Sequence, residues 1–223
     1  IANSNFEEWQ IENKDLTLDD FKFSFSKMSL DGALFDIDKL KYFSKELLGK
    51  YKGPEMKDFV KEWAKEYNEE LYDLILRDED YFAQIMNIEK DKENPRKDYE
   101  KCSDILEKVK FFYDEYYLEK MNEELPWNPS MDKEVIKDVL NDFASTLNYE
   151  IPEQDWFNNL KVLGTRHNFA ENNKIYKKNK ELYLGHVGDV AEMVRIALTS
   201  SKQSPNIYYV LNILKEEKIK ERI

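Results

Sequence analysis

The sequence predicts an all-α protein, in which two small helical bundles follow a short mixed N-terminal segment. Only 6 Gly and 6 Pro occur among 223 residues, too few for the turns of an all-β sandwich. Apolar residues recur at helical spacing almost everywhere after residue 40. A break, Leu125–Pro129, separates two helical stretches, because neither of its prolines can continue a helix. The predicted segments are residues 1–40, 41–125 and 126–223.

The first bundle is predicted to contain four helices. Pro54 suits the first position of a helix. Two more helices follow, then the polar break Asp91–Arg96 and one long amphipathic helix from Cys102 to Tyr116. The defining apolar positions are Phe59, Val60, Trp63, Ala64 and Tyr67; Leu71, Leu74 and Ile75; Tyr81, Phe82, Ile85 and Met86; and Cys102, Ile105, Leu106, Val109, Phe112, Tyr113 and Tyr116.

The second bundle is also predicted to contain four helices. Pro152 and Pro205 each precede one of them, and residues 164–187 are predicted to be a long loop or a broken helix. The defining apolar positions are Met131, Val135, Val139, Phe143 and Leu147; Trp156, Leu160 and Leu163; Val190, Val194, Ala197 and Leu198; and Tyr208, Leu211 and Leu214.

The charge is distributed unevenly. The net charge of −12 disfavours a polyanion as partner for the chain as a whole. Residues 158–223, however, carry 12 Lys and Arg against 7 Asp and Glu, a balance of +5 that leaves −17 on residues 1–157. Such asymmetry can localise a nucleic-acid site, and it can equally be an ordinary solvated basic face. Both interpretations stay open on charge alone.

The sequence contains none of the residue patterns that are typical of a catalytic or metal site. The sequence has no Gly-rich phosphate loop, no Cys/His cluster and no Ser/His/Asp set, and His167 and His186 lack spaced partners. The single cysteine, Cys102, favours a reducing, cytoplasmic setting. No apolar run approaches the roughly 18 residues of a membrane span. Because the first residue is Ile1 rather than Met, we expect a piece of a longer protein.

The C-terminal segment carries an ordered set of motifs. Gly185–Thr199 contains G-H-V-G-D and, from Arg195, R-I-A-L-T. Ser204–Tyr208 follows, with Pro205 ten residues after the arginine, and the sequence closes with E-R-I. In this order and at this spacing, the set resembles the C-terminal end of bacterial glutamyl-tRNA synthetases. The family pattern has Gly at the positions of Ser200 and Lys215, so the local backbone there is expected to differ.

The triplet at Lys27 raises the question of a catalytic loop. K-M-S opens the K-M-S-K-S loop of class I aminoacyl-tRNA synthetases, but Leu30-Asp31 stands here in place of Lys-Ser. Lys27–Leu40 instead resembles a second family element, of the form [KR]-[MV]-S-x-[SD]-[GP]-A-[VL]-F-D-x-x-K-L. The triplet is therefore interpreted as a look-alike, with Phe35 and Leu40 anchoring the start of the helical region.

The resemblance implies a function for each segment. Residues 1–40 would end the stem-contact segment, and residues 41–125 and 126–223 would form a helical cage that grips the anticodon of tRNA(Glu). The resemblance further implies a monomer in the cytoplasm whose N-terminal catalytic domain, upstream of Ile1, binds ATP and Mg²⁺ and ligates glutamate to tRNA. Residues 1–223 would need no cofactor and would not be an enzyme by themselves.

The resemblance also assigns binding residues. Arg195 and the Ser204–Tyr208 turn would form a pocket for the central anticodon base, since a guanidinium fork and flat apolar surface suit a splayed-out base. Arg96, in an N-P-R segment, would read the outer bases, and the alternative is a solvated arginine in a polar loop. Ser204-Pro205 could equally be a mere helix start. The predicted anticodon-binding residues are Arg96, Arg195, Ser204, Pro205, Ile207 and Tyr208, and the predicted tRNA-backbone residues are Lys177 and Lys178.

Two other functions stay open on the sequence. A free-standing tRNA-binding module would share the motifs but lack a catalytic partner. An acidic helical adaptor between proteins would account for the −17 of residues 1–157. Binding of tRNA against another structured RNA separates the adaptor from the other two functions.

Overall fold

The computed structural model describes residues 5–28 and 36–223. The chain divides into two compact units, Ile1–Phe43 and Ser44–Ile223. The described residues are overwhelmingly helical, with a single pair of two-residue strands, so the predicted all-α class is confirmed.

The first unit contains α1 (Phe6–Glu12), two 3-10 turns at Leu18–Asp20 and Phe25–Lys27, and the start of α2 (Ile37–Lys50). Phe6, Trp9 and Phe21 form an aromatic cluster, with ring centroids 5.0–5.8 Å apart. The part of the K-M-S element from Ser29 to Phe35 lies outside the described residues, as does the predicted anchoring role of Phe35. Leu40, the other predicted anchor, is 51% exposed, so this part of the prediction is wrong.

The second unit opens with three helices, α3 (Gly53–Tyr67), α4 (Glu69–Arg77) and α5 (Glu79–Met86). Side-chain caps separate them: Asn68 accepts from the backbone N–H of Leu71 at 2.9 Å, and Asp78 accepts from that of Tyr81 at 2.8 Å. The predicted apolar face of α3 includes residues that are not buried. Its core positions are Met56, Val60 and Ala64, whereas Phe59 and Tyr67 remain 43% and 64% exposed.

The predicted long helix from Cys102 to Tyr116 is wrong. The structure has a short helix α6 (Ile105–Val109), a 3-10 turn Lys110–Phe112, and a separate helix α7 (Asp114–Met121). The break lies at Tyr113, whose backbone is extended (φ −106°, ψ 130°). Aromatic residues are weak helix formers, and the break buries both Phe112 and Tyr113. Tertiary burial therefore overrides the helical periodicity.

Beyond the Leu125–Pro129 break the chain forms α8 (Lys133–Ser145), α9 (Glu153–Arg166), β1 (Phe169–Ala170), α10 (Asn173–Lys178), β2 (Gly185–His186), α11 (Val187–Thr199) and α12 (Ile207–Arg222). The strands pair in parallel, Phe169 with Gly185 and Ala170 with His186. This pairing was not predicted, since two-residue strands leave no periodicity to detect.

The G-H-V-G-D motif has a structural explanation. The ring of His186 accepts from the N–H of Gly188 at 2.9 Å, and Asp189 accepts from the N–H of His186 at 2.7 Å, so the motif caps α11. A Cβ at Gly185 would lie 2.5 Å from the Asp189 carboxylate, which excludes larger residues unless that carboxylate moves.

One hydrophobic core runs through the second unit. It extends from Leu48 to Ile219 and contains side chains from both sides of the Leu125–Pro129 break. No helix crosses the break, because α7 ends at Met121 and α8 begins at Lys133. The division into residues 41–125 and 126–223 stays a prediction.

Both positions at which the family pattern has Gly adopt a left-handed backbone. Ser200, the C-cap of α11, has φ 54° and ψ 22°, and Lys215, which interrupts α12, has φ 64° and ψ 168°. The Lys215 region of backbone space is essentially restricted to glycine, and a side chain there costs about 1–3 kcal/mol. Both positions therefore have the backbone conformation that favours glycine, with a larger side chain in its place.

We expect Lys215→Gly to stabilise the chain. Relief of about 1–3 kcal/mol of strain outweighs the added backbone entropy of glycine in the unfolded chain, about 0.4–1 kcal/mol. The melting temperature should rise by roughly 2–4 °C per kcal/mol gained. Lys215→Ala is the matched control, because it removes the long side chain but keeps the strained Cβ. Equal melting temperatures for the two variants would show that Lys215 is unstrained.

Candidate nucleic-acid interface

A cleft of about 750 Å³ opens between α9, α11 and the turn that precedes α12. Trp156, Phe157 and Leu160 of α9 form its apolar wall. Phe157 leaves 37% of its surface exposed, which offers a ring on which a base could stack. Of the predicted site residues, the cleft brings together Arg96, Arg195, Ser204 and Ile207.

Two arginines from distant parts of the chain converge on one carbonyl. Nη2 of Arg96 and Nη1 of Arg195 each lie 3.4 Å from the carbonyl oxygen of Ser204. At this distance each hydrogen bond is weak, so the Arg195 guanidinium keeps most of its donor capacity for another partner. The resemblance implies anticodon binding for both arginines, and in the structure both line one cleft.

The electrostatic surroundings of the two arginines differ. Burial lowers the pKa of Arg195, and the nearby positive charge of Arg96 lowers it further. No carboxylate of the described residues lies within 4.0 Å of the Arg195 guanidinium. A half-buried cation that has no ionic partner in the described part of the chain is well suited to bind a negatively charged or acceptor-rich group.

Arg96, in contrast, is held by two carboxylates. Its Nη1 pairs with Glu89 at 3.0 Å, and its Nε pairs with Asp98. Burial lowers the pKa of Arg96, but the hydrogen bonds from these carboxylates outweigh it and raise the pKa above its usual value. Arg96 is therefore oriented by its neighbours and is not the solvated arginine of the alternative interpretation.

The Ser204–Tyr208 turn distributes its side chains to different places. Ile207 is 3% exposed at the base of the cleft, whereas Pro205 lines an adjacent cleft of about 600 Å³. The Tyr208 hydroxyl donates to the carbonyl of Ile151 at 2.7 Å, and its ring centroid lies 6.0 Å from that of Trp156. Tyr208 thus supports α9 from behind the cleft.

The interpretation of Ser204-Pro205 as a helix start needs correction. The helix begins at Ile207, and Asn206 is its N-cap, accepting from the N–H of Tyr208 at 3.1 Å. The amide of Asn206 also donates to Glu153 at 2.6 Å. Asn206, a residue type that caps helices well, therefore lies between Pro205 and the helix.

Lys177 and Lys178 lie away from the cleft. They are exposed at the end of α10, which packs against β1 and β2. Neither ammonium has a carboxylate of the described residues within 4.0 Å. They remain available for a phosphate backbone, and their binding role stays a prediction.

Sequence reasoning missed several residues of the cleft. Glu153 and Phe157 line it from the first turns of α9, and Glu89 and Asp98 hold Arg96. No sequence signal singles out Glu89 and Asp98 as the partners of Arg96, because Asp91 and Glu93 are also close to it in the chain. Phe157 could have been found because it lies off the apolar face of α9.

Within residues 5–28 and 36–223, no group of three or more His, Cys, Asp and Glu side chains could hold a metal ion. No helix in the same ranges combines the length and the apolar character needed to cross a bilayer. His167, which the sequence left without a role, lies 2.9 Å from Asp142 through Nε2.

Comparison with known proteins identifies relatives along the whole chain. The model of a family described as an anticodon binding domain matches residues 62–223. A glutamate–tRNA ligase of Acetivibrio thermocellus is 40% identical over 223 residues, which is all of this chain and 40% of the relative. Glutamate–tRNA ligases of Clostridium perfringens strain 13 and Sorangium cellulosum are 37% and 30% identical, again over all of this chain and 41% and 39% of the relatives.

The chain thus spans about two fifths of the length of these relatives. The family match covers most of the chain, including α4 to α12 and the cleft with Arg96 and Arg195. On this match, the chain belongs to the family of anticodon binding domains.

Proposed function

We propose that residues 1–223 are the anticodon-binding part of a glutamate–tRNA ligase and that the cleft receives an anticodon base. The observation that carries this proposal is the convergence of Arg96 and Arg195 on the Ser204 carbonyl beside the exposed ring of Phe157. Guanidinium donors read the acceptor atoms of a base, and the ring offers a stacking surface.

Amino-acid activation would then take place outside residues 1–223. That step uses ATP and Mg²⁺, and the family model that matches residues 62–223 is described as an anticodon binding domain. We therefore assign ATP, Mg²⁺ and the ligase chemistry to a catalytic domain of the same polypeptide. The proposal also includes a monomeric state and a cytoplasmic location, where tRNA is charged.

Competition between tRNAs tests this proposal. Filter binding should be measured with the 223-residue chain against three transcripts: tRNA(Glu), the same tRNA with a substituted anticodon, and an unrelated structured RNA. We expect tRNA(Glu) to bind about 5- to 150-fold more tightly than its anticodon variant, since each base-specific contact contributes about 1–3 kcal/mol. Equal affinity for all three RNAs would reject anticodon reading, and absence of binding would favour the acidic adaptor.

Lys177 and Lys178 test the predicted backbone contacts. We expect Lys177→Glu/Lys178→Glu to weaken binding of tRNA(Glu) and of its anticodon variant by the same factor, since phosphate contacts carry no sequence information. The slope of log affinity against log salt should become shallower by about 0.7 per lost contact. The control is Lys133→Glu/Lys137→Glu on α8, which makes the same change at exposed lysines outside the basic third. An identical loss in both double variants would assign Lys177 and Lys178 to an ordinary solvated face.

A further inference from the structure

Lys90 is a buried lysine that has no carboxylate partner among the described residues. It is only 3% exposed. Its ammonium donates to the carbonyl of Arg96 at 2.8 Å and approaches the carbonyls of Leu48 and Gly49 at 3.4 and 3.5 Å. Burial lowers its pKa. A buried ammonium is costly unless it is hydrogen-bonded, and its bond to the Arg96 carbonyl is one that a hydrophobic side chain could not make.

The residue before it, Glu89, contacts Arg96 in two further ways. The Glu89 carbonyl accepts from the backbone N–H of Arg96 at 3.2 Å, and its carboxylate accepts from Nη1 at 3.0 Å. Together, Glu89 and Lys90 hold the N–H, the carbonyl and the guanidinium of Arg96. Two consecutive residues in the turn after α5 thus contact three polar groups of Arg96: its backbone N–H, its carbonyl and its guanidinium.

This turn has an uncommon backbone. Glu89 has φ 56°, a left-handed conformation that non-glycine residues rarely adopt. Such conformations persist where the surrounding structure enforces them, and they cluster at binding sites. The left-handed residue lets the carbonyl of Glu89 and the ammonium of Lys90 reach the same segment.

We propose that the Glu89-Lys90 turn is a positioning element that presets the Arg96 guanidinium toward Ser204 and Arg195 for reading an anticodon base. The proposal rests on the proposed function of the cleft. Without Lys90 the Arg96 backbone loses its strongest tether, and without the Glu89 carboxylate the guanidinium loses one of the two contacts that orient it. In either case Arg96 must be ordered during binding, which lowers affinity for the matching anticodon only.

Lys90→Met tests the backbone tether, and Glu89→Gln tests the side-chain tether at a less buried position. We expect each variant to lower the ratio of affinities for tRNA(Glu) and its anticodon-substituted transcript by about tenfold, or about 1.4 kcal/mol. The matched control is Lys52→Met. Lys52, which precedes α3, donates to the carbonyl of Lys90 at 2.7 Å, so the control removes a lysine charge that contacts the same turn but not Arg96. Its ratio should equal that of the wild type.

A double-mutant cycle with Arg96→Ala separates positioning from a merely structural role. If the turn acts through Arg96, Lys90→Met and Glu89→Gln should not change the ratio further in the Arg96→Ala background. A loss of equal size in both backgrounds, or equal weakening of both transcripts, would overturn the proposal. If Lys90→Met does not fold, the Glu89→Gln cycle gives the decision alone.

The same cycle distinguishes the two proposals. Should Arg96→Ala leave the ratio unchanged, Arg96 reads no base and the positioning role falls with it. Should Arg96→Ala lower the ratio while Glu89→Gln and Lys90→Met do not, base reading by Arg96 stands and only the positioning role is rejected.

Discussion

Replacing Arg222 with alanine is expected to lower the free energy of unfolding by about 3–5 kcal/mol. The side chain of Arg222 is only 2% exposed although the residue is next to last in the chain. Native domains are stable by only about 5–15 kcal/mol, so the loss is a large part of the total. For a chain of this size the melting temperature should fall by roughly 6–20 °C.

The physical reason is that one guanidinium serves four groups. Its Nη1 donates to the carbonyls of Phe111 and Leu198, each at 2.8 Å, and its Nη2 donates to Asp114 at 2.8 Å. Its central carbon also lies 3.9 Å from the ring centroid of Tyr117. Alanine would leave two carbonyls without this donor in a buried site, at a cost of about 1–3 kcal/mol each.

The contacts of Arg222 also hold the end of the helix that carries Arg195. The carbonyl of Leu198 belongs to the last turn of α11, where helix carbonyls lack helical partners. The Tyr117 hydroxyl donates to the neighbouring carbonyl of Ala197 at 2.6 Å. The closing E-R-I motif therefore caps α11 and ties it to the 3-10 turn and helix α7, which explains its place among the family motifs.

Lys220→Ala is the matched control for Arg222→Ala. This change removes a cation two residues away from Arg222. Lys220 is 55% exposed, and among the described residues it pairs only with the exposed Glu216. Its effect should stay within about 0.5 kcal/mol. Arg222→Lys should fall between the two, because lysine keeps the charge but lacks the planar fork. A melting temperature for Arg222→Ala equal to that of the control would mean that the C-terminal contacts contribute nothing.

Asp114 makes this network sensitive to acid. Burial raises its pKa, but hydrogen bonds from Lys218 and Arg222 outweigh this and hold the pKa below its usual value. Because the folded-state pKa is lowered, the stability is fully present above the unfolded pKa of about 3.9 and is lost as the pH falls through the lowered value. The difference in melting temperature between wild type and Asp114→Asn should therefore shrink on acidification, and an unchanged difference would place the acid response elsewhere.

Helices with a long apolar repeat could be predicted from the sequence. The predicted helices at α4, α5, α8, α9 and α11 exist because each buries a single face and has a local start signal, as Asn68 and Asp78 show for α4 and α5. These are short-range effects, so the residues themselves contain the information. The resemblance likewise assigns both Arg96 and Arg195 to anticodon binding, and both arginines line the same cleft.

What could not be predicted depends on residues far apart in the chain. The break at Tyr113 follows from burial of two successive aromatic residues, which periodicity alone represents as a continuous helix. The partners of Arg222 at Phe111 and Asp114 are more than a hundred residues away. Of the cleft, the sequence indicated the arginines but not the carboxylates that orient Arg96, because a pairing within a turn leaves no repeat.

Replacing Arg195 with alanine is expected to weaken binding of tRNA(Glu) about 5- to 150-fold, the equivalent of one lost bidentate contact at about 1–3 kcal/mol. Binding of the anticodon-substituted transcript should barely change, because phosphate contacts elsewhere stay intact. The stability of the fold should change little. The bond from Arg195 to the Ser204 carbonyl is 3.4 Å long, and no described carboxylate within 4.0 Å would be left unpaired.

Two variants complete this test of Arg195. Arg166→Ala removes an arginine that pairs with Asp142 at 3.1 Å outside the cleft, so it should leave the ratio of the two affinities unchanged. Arg195→Lys should recover only part of the ratio, because a point charge cannot make the paired contacts of a guanidinium. Affinities for both transcripts and the melting curve should be measured on one preparation. If Arg195→Ala instead melts several degrees lower and binds both transcripts equally poorly, Arg195 ties α11 to the turn before α12 and reads no base.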